Sequence, residues 1–262
     1  MKKTLLDVIF ASEKRKNTLL LLQDRAQDME NLLLSLDTTR QALLPQIKVL
    51  EEHHLVTHYN DTYELTAIGK LIVNKMIPLL DIVEVADSDI DYWGTHNLDF
   101  IPPHLYKRLS ELGPCTVVTN PPSTEVCEPS KQEVENAKKS AFQVSVTTFI
   151  FPGFPSLLED FKKHGVNMSL VVSTELLAKI NEEQNEPLRN LLGSNLNKVC
   201  LYPKRMDFVA FGYNEVSFMM RLLTNEGNYD HKYVSSCNPT ALIWAKNLFE
   251  YYLKDAIPIT VV

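Results

Sequence analysis

Asp37 to Thr66 reads DTTRQALLPQIKVLEEHHLVTHYNDTYELT, and the order of elements in this stretch decides the fold of the N-terminal part of the chain. Asp37 or Thr38 offers a side-chain oxygen that can cap a helix N-terminus. Leu43, Ile47, Leu50 and His54 then recur on one helical stripe, which packs inward. The opposite stripe carries Arg40, Gln41, Leu44 and Lys48, long donors and one apolar side chain of the kind that meets phosphates and base edges in a major groove. After Leu55 come two short runs, Val56-Thr-His-Tyr and Thr62-Tyr-Glu-Leu, joined by Asn60-Asp61, residues that tolerate the left-handed backbone of a tight turn. A helix followed at once by a small hairpin is the recognition helix and wing of a winged helix-turn-helix. Pro45 lies inside the periodic run, where it removes an amide donor and meets the carbonyl four residues back, at a cost of about 3 kcal/mol in a helix interior. The spacing therefore predicts a kink at Pro45 or a later helix start. The plainer alternative is an amphipathic helix and hairpin used for packing or for binding another protein.

Upstream, TLLDVIF (4–10) and KRKNTLLLL (14–22) read as one helix broken near Ser12 or as two short ones, and Asp28 caps a further short helix. Lys14, Arg15 and Lys16 form the dense basic cluster of this part, placed to touch a phosphate backbone or simply to face solvent. The succession of helix, helix, turn, helix and hairpin within about 65 residues has the length of a winged domain. Downstream, Thr66 caps AIGKLIVNKMIPLLDIVEVA, a helix bent at Pro78 whose broad apolar band, with Ile68, Leu71, Ile72, Leu79 and Val83, needs a partner. That partner is the first helix of the same chain or the equivalent helix of a second copy, and a homodimer is the preferred expectation.

The totals restrict the reading. The chain has 262 residues, 45% hydrophobic and 23% charged, with a formal net charge of -7. Residues 1 to 75 hold ten Lys and Arg against ten Asp and Glu, so the reader is neutral and the acidity lies in the remainder. Any DNA-facing surface must then come from local clustering and helix dipoles. Cys115, Cys127, Cys200 and Cys237 contain no Cys-x-x-Cys pair, and buried free thiols are expected. Asp7 and Glu13 interrupt the apolar run that a signal peptide needs, and no continuous apolar run approaches 18 residues, so a cytoplasmic protein without membrane contact is expected.

From Asp87 to Leu112, Tyr92, Trp93 and His96 cluster ahead of Pro102-Pro103, where they either line an effector pocket or pack a domain junction. From Cys115 onward, strands and helices alternate. Thr116–Thr119 and Val144–Phe151 bracket a helical Ser130–Phe142; Pro155–His164 is the next helix, Met168–Val172 a strand, Thr174–Leu192 a helix broken at Pro187, and Val199–Tyr202 a strand. Asp207–Tyr213 and Val216–Leu223 suggest a hairpin, and TALIWAKNLFEYYLK (240–254) closes the chain with a helix that docks through Leu242, Ala245, Leu248, Phe249 and Tyr252. The fold class is thus α/β: an N-terminal winged helix-turn-helix followed by a mixed, largely parallel sheet flanked by helices. The expected division is a DNA-binding domain over 1–66, linker and dimerisation helices over 67–112, and an effector-sensing domain over 113–262.

No phosphate-binding loop, dinucleotide fingerprint, nucleophile elbow or His-Glu-x-x-His motif occurs, and eight glycines leave little material for a phosphate cradle. His53, His54 and His58 straddle the helix-to-wing turn without a cysteine to complete a metal set. Asp87, Asp89 and Asp91 lack the glycine and terminal glutamate of a calcium loop. Neither a metal nor a cofactor is expected.

The blocks RQALLPQIKVLEEHHLV, YELTAIGKLIVNKMIPLL, DYWGTHNLDFIPPHL, LYPKR and ALIWAKNLFEYY resemble the archaeal winged-helix, ArsR-like regulators of the methanogenesis or filamentation regulator family over nearly the full length. Pro45 agrees with that family's pattern. The C-terminal half also resembles the phospholipase-D-like fold that serves as a sensor in TrmB-type regulators. Catalytic members of that fold need His-x-Lys followed by Asp, and here His231 and Lys232 are adjacent. The resemblance implies a transcription regulator with a binding rather than catalytic C-terminal half; with the recognition helix, the wing and the missing catalytic residues, the expectation is a non-enzymatic, dimeric regulator that binds double-stranded operator DNA and whose α/β half senses an unidentified small molecule. On that reading Arg40 and Gln41 contact bases; Lys14, Arg15, Lys16 and Lys48 contact phosphates. Thr39 stands at the start of the recognition helix and His58, Tyr59 and Asn60 at the wing. A hydrolase on the C-terminal scaffold and a protein-binding winged module remain the alternatives.

Overall fold

The computed structural model describes residues 4–121, 128–182 and 197–259. The chain divides into two compact units, Met1–Leu80 and Asp81–Val262, so the segment 67–112, read as linker and dimerisation helices, is shared between them.

The first unit opens with α1 (Leu5–Phe10) and α2 (Glu13–Leu21), two helices separated by Ser12. A two-residue strand β1 (Gln27–Asp28) leads into α3 (Met29–Ser35), whose first turn is capped by the Asp28 carboxylate accepting the Asn31 amide at 2.8 Å. Then come α4 (Arg40–Glu52), β2 (Val56–Tyr59), β3 (Thr62–Leu65) and the 21-residue α5 (Ala67–Asp87). The hairpin turns on Asn60 and Asp61, both at positive φ (48° and 62°), and β1 pairs with the far side of β3 to make a three-stranded sheet, order β1-β3-β2. Two residues are too short for β1 to show as a periodic run, and it does not show in the sequence.

Three local expectations for α4 need correction. Thr39, rather than Asp37 or Thr38, is its N-cap, and no side-chain oxygen caps it. The helix runs through Pro45 without interruption; Pro45 and Gln41, whose carbonyl loses its donor, are both exposed, so water can serve that carbonyl. The inward stripe of Leu43, Ile47 and Leu50 continues in Leu55, not in His54. His54 takes φ 58° just past the helix end, with its own amide on the Glu51 carbonyl and the Leu55 amide on the Leu50 carbonyl, a left-handed stop that swings His54 into solvent. These residues close a core with Leu19, Leu32, Tyr63, Leu65 and Val73. α5 starts against that core. Thr66 accepts the Gly69 amide at 3.0 Å, and a Cβ on Gly69 would lie 2.1 Å from the Leu55 carbonyl oxygen, so only glycine lets this helix begin so close to the hairpin.

The second unit begins with the end of α5, then α6 (Ile90–Thr95), α7 (Pro103–Tyr106) and a 3-10 turn (Leu109–Leu112). Strands and helices follow as β4 (Thr116–Thr119), α8 (Lys131–Lys138), β5 (Phe142–Thr147), α9 (Phe154–Lys163), β6 (Asn167–Ser173), α10 (Thr174–Glu182) and β7 (Asn197–Tyr202). β8 (Ala210–Asn214), β9 (Phe218–Arg221), β10 (Lys232–Ser236), α11 (Pro239–Asp255) and β11 (Ile257–Pro258) complete it. The helix read over Thr174–Leu192 is present to Glu182; its break at Pro187 falls outside the described residues.

These strands form one eight-stranded sheet in the order β11-β7-β6-β5-β8-β9-β10-β4. The α/β class and the mixed sheet agree with the sequence, but the parallel share is smaller than the alternation implied. Among the described residues parallel pairing is confined to β5-β6 and β6-β7, where α9 and α10 lie in the crossovers. No described helix separates β8, β9 and β10, so those strands return antiparallel. α11 lies on one face of the sheet. Ala241, Trp244, Ala245, Leu248 and Tyr252 are buried there in one cluster with Val144, Val146, Phe211, Phe218 and Met220. A second cluster on the other face joins Phe154, Leu158 and Phe161 of α9 to Met168, Leu170 and Val172 of β6.

Candidate nucleic-acid interface

The outer side of α4 is free of the core. Thr39, Arg40, Gln41, Pro45 and Lys48 are exposed, while the side chains one half-turn away are fully buried, so the helix holds a polar ridge on a fixed base. With no side chain capping it, the Arg40 and Gln41 amides and the positive dipole end of α4 are open, while the Ala42 and Leu43 amides both donate to the Thr39 carbonyl. The hairpin brings the wing to the same neighbourhood. Arg40 Nη2 lies 3.8 Å from Asp61 Oδ1 at the turn, both side chains mostly exposed, a loose pair that an incoming phosphate or base edge can replace.

His58 points back from β2, its Nδ1 on the Glu51 carboxylate at the end of α4 and its ring 5.4 Å from that of Tyr63. Burial, reinforced by the Asp61 and Glu51 carboxylates, pushes the Tyr63 phenol upward, which keeps it neutral under the wing. Tyr59 projects from the tip with 79% of its surface exposed, next to exposed Asn60. Thr39, Arg40, Gln41, Lys48, His58, Tyr59 and Asn60 are therefore all exposed, but His58 turns to Glu51 and Tyr63 on the hairpin face opposite to that of Tyr59.

The basic triplet behaves differently. Arg15 is 5% exposed and is withdrawn from the phosphate-facing set. Its guanidinium donates to the Val8 carbonyl through Nε, to the Asp7 carbonyl at 3.1 Å and to Gln46 Oε1 at 2.7 Å. Those carbonyls belong to the last turn of α1, which has no basic residue of its own, so Arg15 caps one helix from the next and ties both to α4. Lys16 pairs with Glu13 at 2.6 Å, and Lys14 is half-buried.

Tyr92 and His96 are buried and Trp93 is half-buried. Tyr92 is fully buried in the core of the second unit and stacks on His96 at 3.9 Å between centroids; Trp93 donates to Ser88 Oγ at 3.1 Å. His96 Nδ1 lies 2.8 Å from the Tyr92 carbonyl and its Nε2 is 3.3 Å from Asp230. The trio packs α6 onto the sheet, and the pocket assignment made for it is withdrawn. Burial pushes the Tyr92 phenol far up.

Of the cysteines, Cys115 and Cys200 are half-buried with thiols pushed up by burial, and Cys237 is exposed, contrary to the expectation of buried thiols. Cys127 lies outside the described residues. Among the described residues no group of three or more His, Cys, Asp and Glu is placed to hold a metal, and no helix is long and apolar enough to cross a membrane.

Residues 126–255 match the family described as "Methanogenesis regulatory protein FilR1, middle domain", and residues 5–88 match "HVO_A0261 N-terminal domain". Over 251 residues the chain is 24% identical to Methanogenesis regulatory protein FilR1 of Methanothrix harundinacea (strain 6Ac), an alignment covering 94% of this chain and 56% of that protein. The chain thus spans about half the length of the curated relative it matches. The family resemblance drawn from RQALLPQ, DYWGTHN and the closing helix is borne out, and the relative is named for regulation rather than catalysis. Among solved structures, TrmBL2, described as an archaeal chromatin protein with a novel mode of DNA binding, overlaps at TM-score 0.43 and 11% identity, covering 94% of this chain and 92% of its own. Nuc of Salmonella typhimurium, a phospholipase D family member, overlaps at TM-score 0.39 and 10% identity over 55% of this chain and 98% of its own.

Proposed function

We propose that this chain is a transcription regulator. α4 and the wing bind double-stranded operator DNA, two copies act together, and the second unit senses a small molecule. The observation that carries the DNA reading is the free polar ridge of Arg40, Gln41 and Lys48 on a helix whose opposite stripe is locked in the core, with exposed Tyr59 and Asn60 beside it. The matches to a FilR1 middle domain and to a protein named as a methanogenesis regulator support the regulatory part.

Selection of bound duplexes from a random pool tests the reading directly, and an inverted repeat is the expected product. On the selected site, Arg40→Ala weakens binding by about 1–3 kcal/mol, roughly 5- to 150-fold, with relaxed preference at the base it touches. Lys48→Ala instead lowers affinity on all sequences and flattens the salt dependence by about one unit of slope. If both variants bind as the parent does, α4 is not the reader. If no duplex is retained at any salt concentration, the winged unit is a protein-binding module, a reading that its equal numbers of acidic and basic residues favour.

The proposed dimer uses α5. Ile68, Leu71 and Leu79 are exposed on one side of this helix, while Val73 and Met76 face the core. Leu71→Glu is expected to halve the mass seen in sedimentation equilibrium while leaving the thermal transition of the first unit in place. An unchanged mass assigns the contact elsewhere.

A further inference from the structure

Between α8, α9 and the face of the sheet opposite α11 lies a partly enclosed cavity of about 100 Å³. Its α9 side is apolar, with Phe151, just before that helix, and Phe154, Leu157 and Phe161, whereas α8 adds Glu133. Its sheet side is not: Gln143, Ser145 and Thr147 of β5 face it, as does Asn214 of β8, at the centre of a sheet whose other face is packed with Val144 and Val146. Gly212 forms the floor. It pairs with Ser145 on one side and Met219 on the other, and a Cβ there would lie 2.6 Å from the Val144 carbonyl oxygen and 3.0 Å from Ser145 Oγ.

Arg221 borders this cavity at the end of β9 and is 1% exposed. Its partners are poor for a buried charge. Nη2 lies 3.4 Å from both Glu133 oxygens, Nη1 reaches the Met219 sulfur at 3.2 Å, and Nε has no partner among the described residues; the Tyr233 ring lies 4.7 Å from the guanidinium carbon. Glu133 is itself engaged, since its Oε2 accepts the Ser130 amide at 2.6 Å in the capping box of α8. A guanidinium has five N–H donors and a strong preference for paired oxygen acceptors, whereas a thioether is a weak one.

We infer that this cavity binds a small amphipathic molecule with an aliphatic body and a carboxylate head, the head taking the guanidinium edge that the Met219 sulfur now covers. The body lies along the α9 wall. An apolar cavity of about 150 Å³ holds benzene, so the space here suits a chain of roughly four or five carbons, with longer ones reaching the opening. The inference rests on the effector-sensing reading of the second unit and gives that effector a site and a chemical class.

The test is calorimetric titration of the full chain with straight-chain carboxylates from butanoate to octanoate, and with the matched primary amides. Saturable binding of at least one acid, roughly tenfold tighter than its amide, is expected, because the charge-assisted bond is lost in the amide. Arg221→Gln should abolish this difference. Leu157→Trp, which fills the cavity from the helix side and leaves the buried charge alone, should abolish binding of both, with folding of each variant checked by circular dichroism. No binding by any acid, equal binding of acid and amide, or unimpaired binding by Leu157→Trp overturns the assignment. Retention of the selected duplex by the same samples separates this from the function proposed above. Acid binding that leaves duplex affinity unchanged upholds the site and removes its regulatory coupling; duplex retention without acid binding removes the site alone.

Discussion

Trp244→Ala is expected to destabilise the second unit by about 4 kcal/mol, which lowers its thermal midpoint by roughly 10 °C. The indole is fully buried, at the centre of the cluster between α11 and the sheet. It meets the Phe218 ring edge-to-face at 5.8 Å, and its Nε1 donates to the Leu105 carbonyl at 3.0 Å. Truncation therefore leaves a large void and a carbonyl without its donor, and the sheet behind it is too rigid to collapse into the space. Trp244→Phe separates the two losses: it restores most of the volume without the donor, and about 1–2 kcal/mol of the destabilisation should remain. Because the first unit has a core of its own, differential scanning calorimetry should show its transition unmoved. A common downward shift of both transitions would mean that the units unfold as one.

Arg15→Met should destabilise the first unit by about 3 kcal/mol, since three acceptors lose a charged donor at once while the methionine keeps much of the packing. The Asp7 and Val8 carbonyls end a six-residue helix, a length that is not stable alone, so α1 should fray first and its amides should exchange faster than those of α4. The same variant discriminates between the two roles considered for the basic cluster. A phosphate contact would change the salt slope of DNA binding by about one unit and leave stability alone. The geometry requires the reverse, an unchanged slope at a temperature where the variant is folded, because the guanidinium is committed to Val8, Asp7 and Gln46.

Arg15 also shows where reading the chain in one dimension stops. In sequence it is the middle of Lys14-Arg15-Lys16 and looks like its neighbours. A helix places consecutive residues about 100° apart, so one of any three can face the core, and which one does depends on where α1 and α4 lie. Arg221 gives the converse case. It is the single charged residue in the run FMMRLL, a signal that was available, but nothing along the chain says that α8 and α9 leave a cavity over it. The polar residues Gln143, Ser145 and Thr147 alternate with valines as in a half-solvated strand. Their side faces a cavity under helices instead of bulk water. The aromatic trio Tyr92, Trp93 and His96 misled in the opposite sense, because aromatic clusters line pockets and cores alike and only burial separates the two.

The sequence by itself determined the helix-helix-helix-hairpin order, the wing turn at Asn60-Asp61, the α5 and α11 helices and the α/β character of the second unit. Each of these is written in local periodicity or turn chemistry, which acts over a few residues. Only the tertiary structure decided the place of β8 beside β5 and of β10 between β9 and β4, the structural role of Arg15 and the cavity at Arg221. Each of these depends on segments far apart in the chain meeting at a distance of a few ångströms, and no pattern along one segment encodes the position of another.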